Sequence, residues 1–499
     1  MKKFNYLLLS LFLIGFSSIT NSQSWEQVGS DIQGKEEGDK SGEAISLSDD
    51  GNVVAIGSMY NDDNGTSAGQ VRIFRNVNGN FTQIGEDING DDAGDWFGGS
   101  LSLSADGSVV AIGASEHDIT NKDYIGQVKI FENVGDSWVQ IGEDIYGENM
   151  NDHSGKAVSL SKDGNVVAIG APDNDAAGSS SGNVRVFKNF GGTWTQIGEN
   201  IDGEAETDWF GSSVSLNEDG TILAVGAPLN DENGSASGNV RIFKLDNDSW
   251  TQIGNSIPGE AESDESGRRI SLSADGNILA IASHRYNGDH PHMGQVRVFK
   301  NDDDNWAQIG DAIIGKTTGE FSGYSVNLSS NGNVVAIGAY YNSDNGDHAG
   351  QARIFQNQND QWVQLGQDIN GEATGDFCGW SVSLNTDGTV VAVGARDNDG
   401  NGDNAGNVRV FKLNTDGIET DLSTTVSIYP NPGDGLFNII FDNQEAKKIT
   451  VSDISGKTVF IKESVNENVQ IDLTDFNSGY YILKIETDKG ITTSKIIKR

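Results

Sequence analysis

The 499-residue sequence holds one cysteine, Cys378, and only six prolines. No internal disulfide can form, and neither a disulfide scaffold nor a collagen-like chain is possible. Basic residues are also scarce, 33 against 73 acidic ones, and the net charge of -40 repels phosphate backbones and anionic lipid alike. Nucleic acid is thereby excluded as a partner. Long apolar runs are missing too. The longest, residues 6–16, is about half of the ~20 residues a membrane-spanning helix needs. It follows Lys2 and Lys3 and precedes the small polar stretch SSITNSQ, the layout of a secretory signal peptide over 1–22. The mature protein is expected to lack an integral membrane segment, and its stability must come from a large core.

Glycine is abundant, with 64 residues, and so are repeats. The pattern aromatic-x-Gln-(Ile/Val/Leu)-Gly begins at Trp25, Phe81, Trp138, Trp194, Trp250, Trp306 and Trp362, in steps of 56 with a single 57. A second marker, the Leu of S-L-S-type triplets, recurs in the same steps at Leu47, Leu103, Leu160, Leu216, Leu272, Leu328 and Leu384. Each copy contains four short stretches rich in Val, Ile, Phe and Trp, such as VSLN, ILAVGA, NVRIFK and WTQIG between 214 and 254. Asp-Gly or Asn-Gly joins the first two, supplying the positive φ that a tight hairpin needs. No helical period is present. The pattern predicts an all-β chain whose main body, 23–415, is a seven-bladed β-propeller with four-stranded blades. WEQVG at 25–29 is a fourth strand without a blade, and 380–412 is a blade without a fourth strand, so the first is expected to complete the last.

The copy WFGSSVSLNEDGTILAVGAPLNDENGSASGNVRIFK, 209–244, resembles an FG-GAP repeat of the kind found in the propeller of integrin α chains, with Phe210-Gly211 and Gly226-Ala227-Pro228 as its hallmarks. The resemblance spans about 24–415 and implies the propeller fold. It also departs from the family, whose calcium loop lies between the first two strands. Here that place holds short turns such as NEDGTIL, 217–223.

Composition changes near 424. Residues 24–423 carry a charge of -41 and residues 424–499 only -1, with a polar linker at 416–425 between two bodies. The segment 426–499, with YPNP at Tyr429 to Pro432, the Ser455-Gly456-Lys457 turn and a basic terminal strand, resembles the C-terminal sorting domain of the type IX secretion system of Bacteroidetes. That resemblance implies a small β-sandwich read by the export machinery, and a protein that is secreted or held at the cell surface.

Several residue sets are candidates for chemistry. Eight positions before each marker Leu stands an acid: Asp39, Asp95, Asp152, Asp208, Asp264, Glu320 and Asp376. The third strand of each copy carries a base: Arg72, Lys129, Arg185, Arg241, Arg297, Arg353 and Arg409. A pair repeated seven times suits a structural ring better than one active site. The bases are expected between blades, near a carboxylate or over the fourth-strand Trp. In the seventh copy, DNDGNGD places Asp397, Asp399, Asn401 and Asp403 at the spacing of a calcium loop, although Val408 stands where the bidentate acid belongs. Calcium is the one cofactor this suggests. His284, His290 and His292 share a blade-five loop and read as a surface loop rather than a zinc site. Cys378 has no histidine in register and reads as packing.

On the rim holding the longer loops the copies differ most, and Trp96, Trp209, Tyr324 and Trp380 are candidate ligand-binding residues. No nucleophile elbow, HExxH or phosphate loop is present. The leading expectation is a non-catalytic propeller, not an enzyme, that binds an extracellular protein or glycan in adhesion or recognition. The alternatives are an extracellular hydrolase or lyase acting on glycans or peptides, and a structural surface component.

Overall fold

A computed structural model describes residues 23–415, 426–441, 446–453, 457–465, 469–487 and 490–499. The expected leader at 1–22 and linker at 416–425 lie outside the described residues. Two compact units emerge, Trp25–Leu413 and a second containing Asn414–Arg499.

The first unit is a seven-bladed propeller. Blade one shows the plan: an inner strand Ala44–Leu47, then Val53–Ser58, Gln70–Val77 and an outer strand, all antiparallel. The outer strand comes in two pieces, Asn80–Gln83 and Ile88–Asn89, both paired to the third strand. The break falls at the glycine of the aromatic-x-Gln-Ile-Gly marker. Gly85 has φ +73, and a Cβ there would sit 2.8 Å from Cδ1 of Trp138, the marker Trp of the next blade. That Trp donates its indole N–H to the Ile84 carbonyl at 3.0 Å. The motif is therefore an inter-blade latch, repeated by Trp194 on Ile141, Trp250 on Ile197 and Trp362 on Ile309.

Blade seven is assembled from both ends of this unit. Cys378–Leu384, Val390–Ala395 and Asn407–Thr415 are joined by Gln23–Gln27 and Ile32–Gln33 as the outer strand. Trp25 is 3% exposed and donates Nε1–H to the Leu365 carbonyl at 2.8 Å, the same latch onto blade six. Its N–H and carbonyl both bond the Gln367 side chain.

Two hydrogen-bonded circles run around the propeller. In the first, the Ser before each marker Leu accepts the N–H of the next blade's marker Leu: Ser46 from Leu103, Ser102 from Leu160, Ser159 from Leu216, Ser215 from Leu272 and Ser271 from Leu328. Asn327 accepts from Leu384, and Ser383 returns to Leu47 at 3.0 Å. The second is wholly backbone, on the hairpin side. Asp49, Ala105, Lys162, Glu218, Ala274, Ser330 and Thr386 each donate N–H to the carbonyl of the next, and Thr386 donates to Asp49 at 3.0 Å. The second Ser of the triplet works locally: Ser48 Oγ accepts the Val53 N–H and donates to Asp50, closing its own hairpin. Between blades lie apolar clusters such as Val109, Val128, Ile130, Leu160, Val167 and Ile169 from blades two and three. Each such side chain contributes roughly 1.5–3 kcal/mol when fully buried.

The second unit pairs a three-stranded sheet, Val426–Tyr429, Leu436–Phe441 and Val469–Asp472, with a four-stranded one, Ala446–Asp453, Thr458–Val465, Gly479–Thr487 and Gly490–Lys498. Phe437, Ile439, Ile449, Val451, Leu483 and Ile496 form their common core. Asn431 of the YPNP motif pins the last strand, donating to the Lys495 carbonyl and accepting the Ile497 N–H. Lys498 is buried, its ammonium held by the carbonyls of Leu473, Thr474 and Phe476. Among the described residues no helix is long and apolar enough to cross a membrane.

Candidate functional site

Strand direction puts the loop after each second strand and the loop entering each inner strand on one rim, opposite the hairpins. The acids of the sevenfold ring sit where those loops meet. Asp39, Asp95, Asp152, Asp208, Asp264, Glu320 and Asp376 are all buried, none more than 4% exposed. They accept main-chain N–H groups of their own loop, as Asp39 does from Glu36 and Asp376 from Ala373. Most also accept a side chain from the same blade's other loop, Asn61 on Asp39, Asn174 on Asp152, Asn230 on Asp208 and Asn342 on Glu320, while His117 faces Asp95 at 3.0 Å. Burial pushes the carboxyls of Asp39, Asp152, Asp208 and Asp264 above the usual range.

The third-strand bases do lie between blades, and four of the seven reach a carboxylate, Lys129 on Asp91, Arg241 on Glu204 at 3.3 Å, Arg353 on Glu320 and Arg409 on Glu372 at 3.7 Å, but most also bond a backbone carbonyl. Arg72 donates to the carbonyl of Gln33, Arg185 to Tyr146, Arg241 to Asp202, Arg297 to Pro258 and Arg409 to Asn370, each on the preceding blade's outer strand. Each guanidinium lies over the Phe two residues along the same strand, as in Arg72 over Phe74 at 5.4 Å, with Phe210 closer still to Arg241 at 4.1 Å, and not over the fourth-strand Trp. Within the sevenfold set only Arg353 pairs with its acid, at 2.9 Å from Glu320 with both side chains nearly sealed. Glu320 is one methylene longer than the six aspartates, which stop short. Lys129, lacking the planar fork, bonds Asp91 instead.

The loop acids serve as turn closures. Asp62 accepts the N–H of Ser67, Asp175 that of Ser180, Asp231 that of Ala236 and Asp399 that of Asn404. Asp118 reaches Tyr124, six residues on instead of five, which absorbs the extra residue of the 57-residue step. The four candidate calcium ligands take separate duties. Asp397 faces Lys40 at 3.1 Å and Arg396 at 3.4 Å, and the Asn401 amide donates to the carbonyls of Gly34 and Lys35. Asp403 accepts the Gly38 N–H on its main-chain oxygen. Among the described residues no group of three or more His, Cys, Asp or Glu side chains is gathered to hold a metal ion.

The variable positions converge on the loop-side mouth of the central channel. Next to the buried acid, each copy places a non-glycine residue in the left-handed region, φ between 49° and 56°: Lys40, Trp96, His153, Trp209, Glu265, Phe321 and Phe377. Three residues on, at the start of the inner strand, come Glu43, Gly99, Lys156, Ser212, Arg268, Tyr324 and Trp380. From the end of the second strand come Met59, Ser115, Pro172, Pro228, His284, Tyr340 and Arg396.

Blades six and seven build an aromatic wall from these slots. Tyr324 lies 4.5 Å from Trp380 and 4.2 Å from Tyr340, and Tyr341 stacks on Phe377 at 5.3 Å. Arg396 covers the Trp380 face at 3.5 Å and pairs across to Glu43 of blade one at 2.7 Å. Burial raises the hydroxyl pKa of both Tyr324 and Tyr340, so both stay protonated donors. Trp96 and Trp209 stand apart from this wall, each beneath a cation of the following blade, Lys156 and Arg268, at 5.7 Å.

Blade five interrupts the pattern with Arg268, Arg269 and Arg285 around His284. His284 is buried, 6% exposed, rather than lying on a surface loop. Burial first, and then Arg268, Arg285 and Arg269, hold its pKa down at about 3, so the imidazole is neutral. Arg268, Arg269 and Arg285 are absent from the sequence-derived site residues, and the sequence alone reads His284 as part of a surface loop. The signal is nonetheless in the repeat: the slot of Arg269 is Ala44, Ser100, Ala157, Ser213, Ser325 and Ser381 in the other six copies. Away from the mouth, a cavity of about 840 Å³ lies at the outer strands of blades four and five, against Pro258, Arg297 and Trp306. A smaller one, about 270 Å³, recurs between blades five and six, so this groove belongs to blade packing.

Comparisons with known proteins agree with this architecture. Residues 201–243 and 370–411 match the FG-GAP repeat, and residues 427–499 match the secretion system C-terminal sorting domain. An ulvan lyase of Nonlabens ulvanivorans is 29% identical over 82 residues, 16% of this chain and 15% of that protein. Three solved structures overlap more broadly. A putative 6-phosphogluconolactonase from Bacteroides uniformis has 14% identity and a TM-score of 0.46, over 66% of this chain and 85% of that one. The periplasmic gluconolactonase of Pseudomonas aeruginosa has 14% identity and 0.45, over 81% and 95%. U3-55K has 11% identity and 0.48, over 79% and 99%. At such identities and scores none of the three bears on activity. The chain is a seven-bladed propeller that contains FG-GAP repeats and carries a type IX secretion system sorting domain, exported to the cell surface or the medium.

Proposed function

We propose that the propeller is a non-catalytic recognition module that seats an extracellular ligand in the loop-side mouth of its channel. The observation that carries this is the wall of Tyr324, Tyr340 and Trp380 with Arg396 laid on it, built on slots where other blades have Gly, Ser or Pro. Identical blades give the ring its rigidity, and the divergent slots give it a particular surface.

The test copies residues from sister blades, so the fold is not at issue. In Tyr324→Ser with Trp380→Ser, both slots take the residue of blade four, Ser212. Ligands retained by the intact protein on a glycan and protein array should bind at least tenfold more weakly to the variant, with an unchanged melting temperature. Unaltered binding would remove the mouth from consideration.

A further inference from the structure

A protein of net charge -40 has gathered unpaired cations at its mouth. Among the described residues Lys156, Arg268 and Arg269 take part in no ion pair, although the chain has 73 acidic residues to offer. Their close neighbours are aromatic faces: Lys156 on Trp96 at 5.7 Å, Arg268 on Trp209 at 5.7 Å and Arg269 on Tyr324 at 5.8 Å. Two of these cations belong to blade five and one to blade three, with the small Ser212 of blade four between them. Lys156 keeps an exposed surface yet has its basicity lowered, by burial first and then, against the pull of Glu116, by Arg269 and Arg268 as like charges.

Arg269 is the sharpest sign. The fold accepts Ala or Ser at that slot six times, so packing does not ask for a guanidinium there. Beside it His284, nine-tenths buried, has Nδ1 with no hydrogen-bond partner among the described residues. Like charges crowded together cost free energy that a bound anion would return. Elsewhere on the propeller the acidic surface repels polyanions, which confines any such binding by this unit to one place.

We infer that the mouth takes an acidic polysaccharide, its carboxylate or sulfate groups held by Lys156, Arg268 and Arg269 and a sugar ring laid on Tyr324 and Trp380. This rests on the mouth being the ligand site. Guanidinium forks suit carboxylate and sulfate oxygens, and the ring faces suit the C–H face of a pyranose, a combination that an acidic peptide does not need.

Polygalacturonate, dextran sulfate, neutral dextran and poly-glutamate can each be titrated into the full chain by calorimetry. The expected result is binding of polygalacturonate or dextran sulfate that weakens with added salt, and none of dextran. Arg268→Ser with Arg269→Ala, which installs the residues of blades four and three, should weaken that binding at least tenfold with the melting temperature unchanged. The inference is overturned if no acidic polysaccharide binds, if the double substitution leaves binding intact, or if poly-glutamate binds as tightly and suffers the same loss. If polyanions fail but the Tyr324→Ser, Trp380→Ser variant loses an array ligand, the mouth remains the site and only its anionic character is refuted. If neither pair of substitutions alters any ligand, both readings fall.

Discussion

The hairpin-side rim and the loop-side rim are made by the same seven copies, yet one is uniform and the other is not. On the hairpin side six aspartates and one asparagine, Asp50, Asp106, Asp163, Asp219, Asp275, Asn331 and Asp387, occupy equivalent turns above a closed circle of backbone bonds. On the loop side the left-handed slot holds Lys, Trp, His, Glu or Phe. A position whose side chain closes its own hairpin meets the same backbone in every blade, and so it keeps the same residue or a near equivalent. A position that faces the open mouth has no such obligation, and chemistry can accumulate there.

Opening the ring is the strongest way to break that contrast, since both rims depend on closure. Removing residues 23–34 strips blade seven of its outer strand, exposes the third strand Asn407–Thr415 as a long edge, and takes away Trp25 and Ile32 from the core. Loss of Trp25 alone is worth about 3–5 kcal/mol. The truncated protein is expected to aggregate, or to melt more than 10 °C lower in calorimetry. A melting temperature within a degree or two of the intact protein would mean that the circles on the two rims hold the ring without the strand.

Much of this was legible in the sequence, for a physical reason. Strand alternation, Asp-Gly turns and a step of 56 residues with a single 57 are local signals, and seven copies average out the noise in any one. Partner choice was less legible. The third-strand arginines lie over their own Phe because residues two apart share a strand face, whereas the marker Trp spends its N–H on the preceding blade. The aspartates and arginines, paired in register along the sequence, separate in space because an aspartate is a methylene too short. The mouth was least legible, since Lys156, Arg268, Trp380 and Glu43 meet only when the ring closes, and His284 reads as a loop residue until its slot is aligned with Tyr340 and Arg396.

The second test probes what the variable rim costs. His284 has an ordinary pKa of 6.5 when unfolded and about 3 in the folded protein. Between those values the unfolded chain takes up a proton that the native state refuses, so stability falls as pH falls, by about 1.4 kcal/mol per pH unit. At pH 5 this amounts to roughly 2 kcal/mol. His284→Met copies Met59 from the same slot of blade one and removes the titration. Urea unfolding at pH 7.5 and pH 5.0 should show the variant gaining about 2 kcal/mol on wild type as the solution is acidified. Parallel pH dependence of the two proteins would show that His284 protonates freely in the folded state.

The smallest expected effect sets one turn carboxylate from each rim side by side. Asp219 accepts the N–H and hydroxyl of Thr221 on the hairpin rim, and these bonds hold its pKa below the usual range against the opposing effect of burial. Asp399 accepts the Asn404 N–H at 2.8 Å on the loop rim. Each bond is local and solvent-exposed, so Asp219→Ala and Asp399→Ala should each lose about 1 kcal/mol in urea unfolding, with little to separate them. Calcium provides the contrast. If Asp399 only closes its turn, millimolar calcium or a chelator leaves wild type and both variants where they were. If Asp397, Asp399, Asn401 and Asp403 also gather around a cation, calcium stabilises wild type and Asp219→Ala but not Asp399→Ala. The loop of blade seven would then be a second place where the loop-side rim has departed from its sister copies.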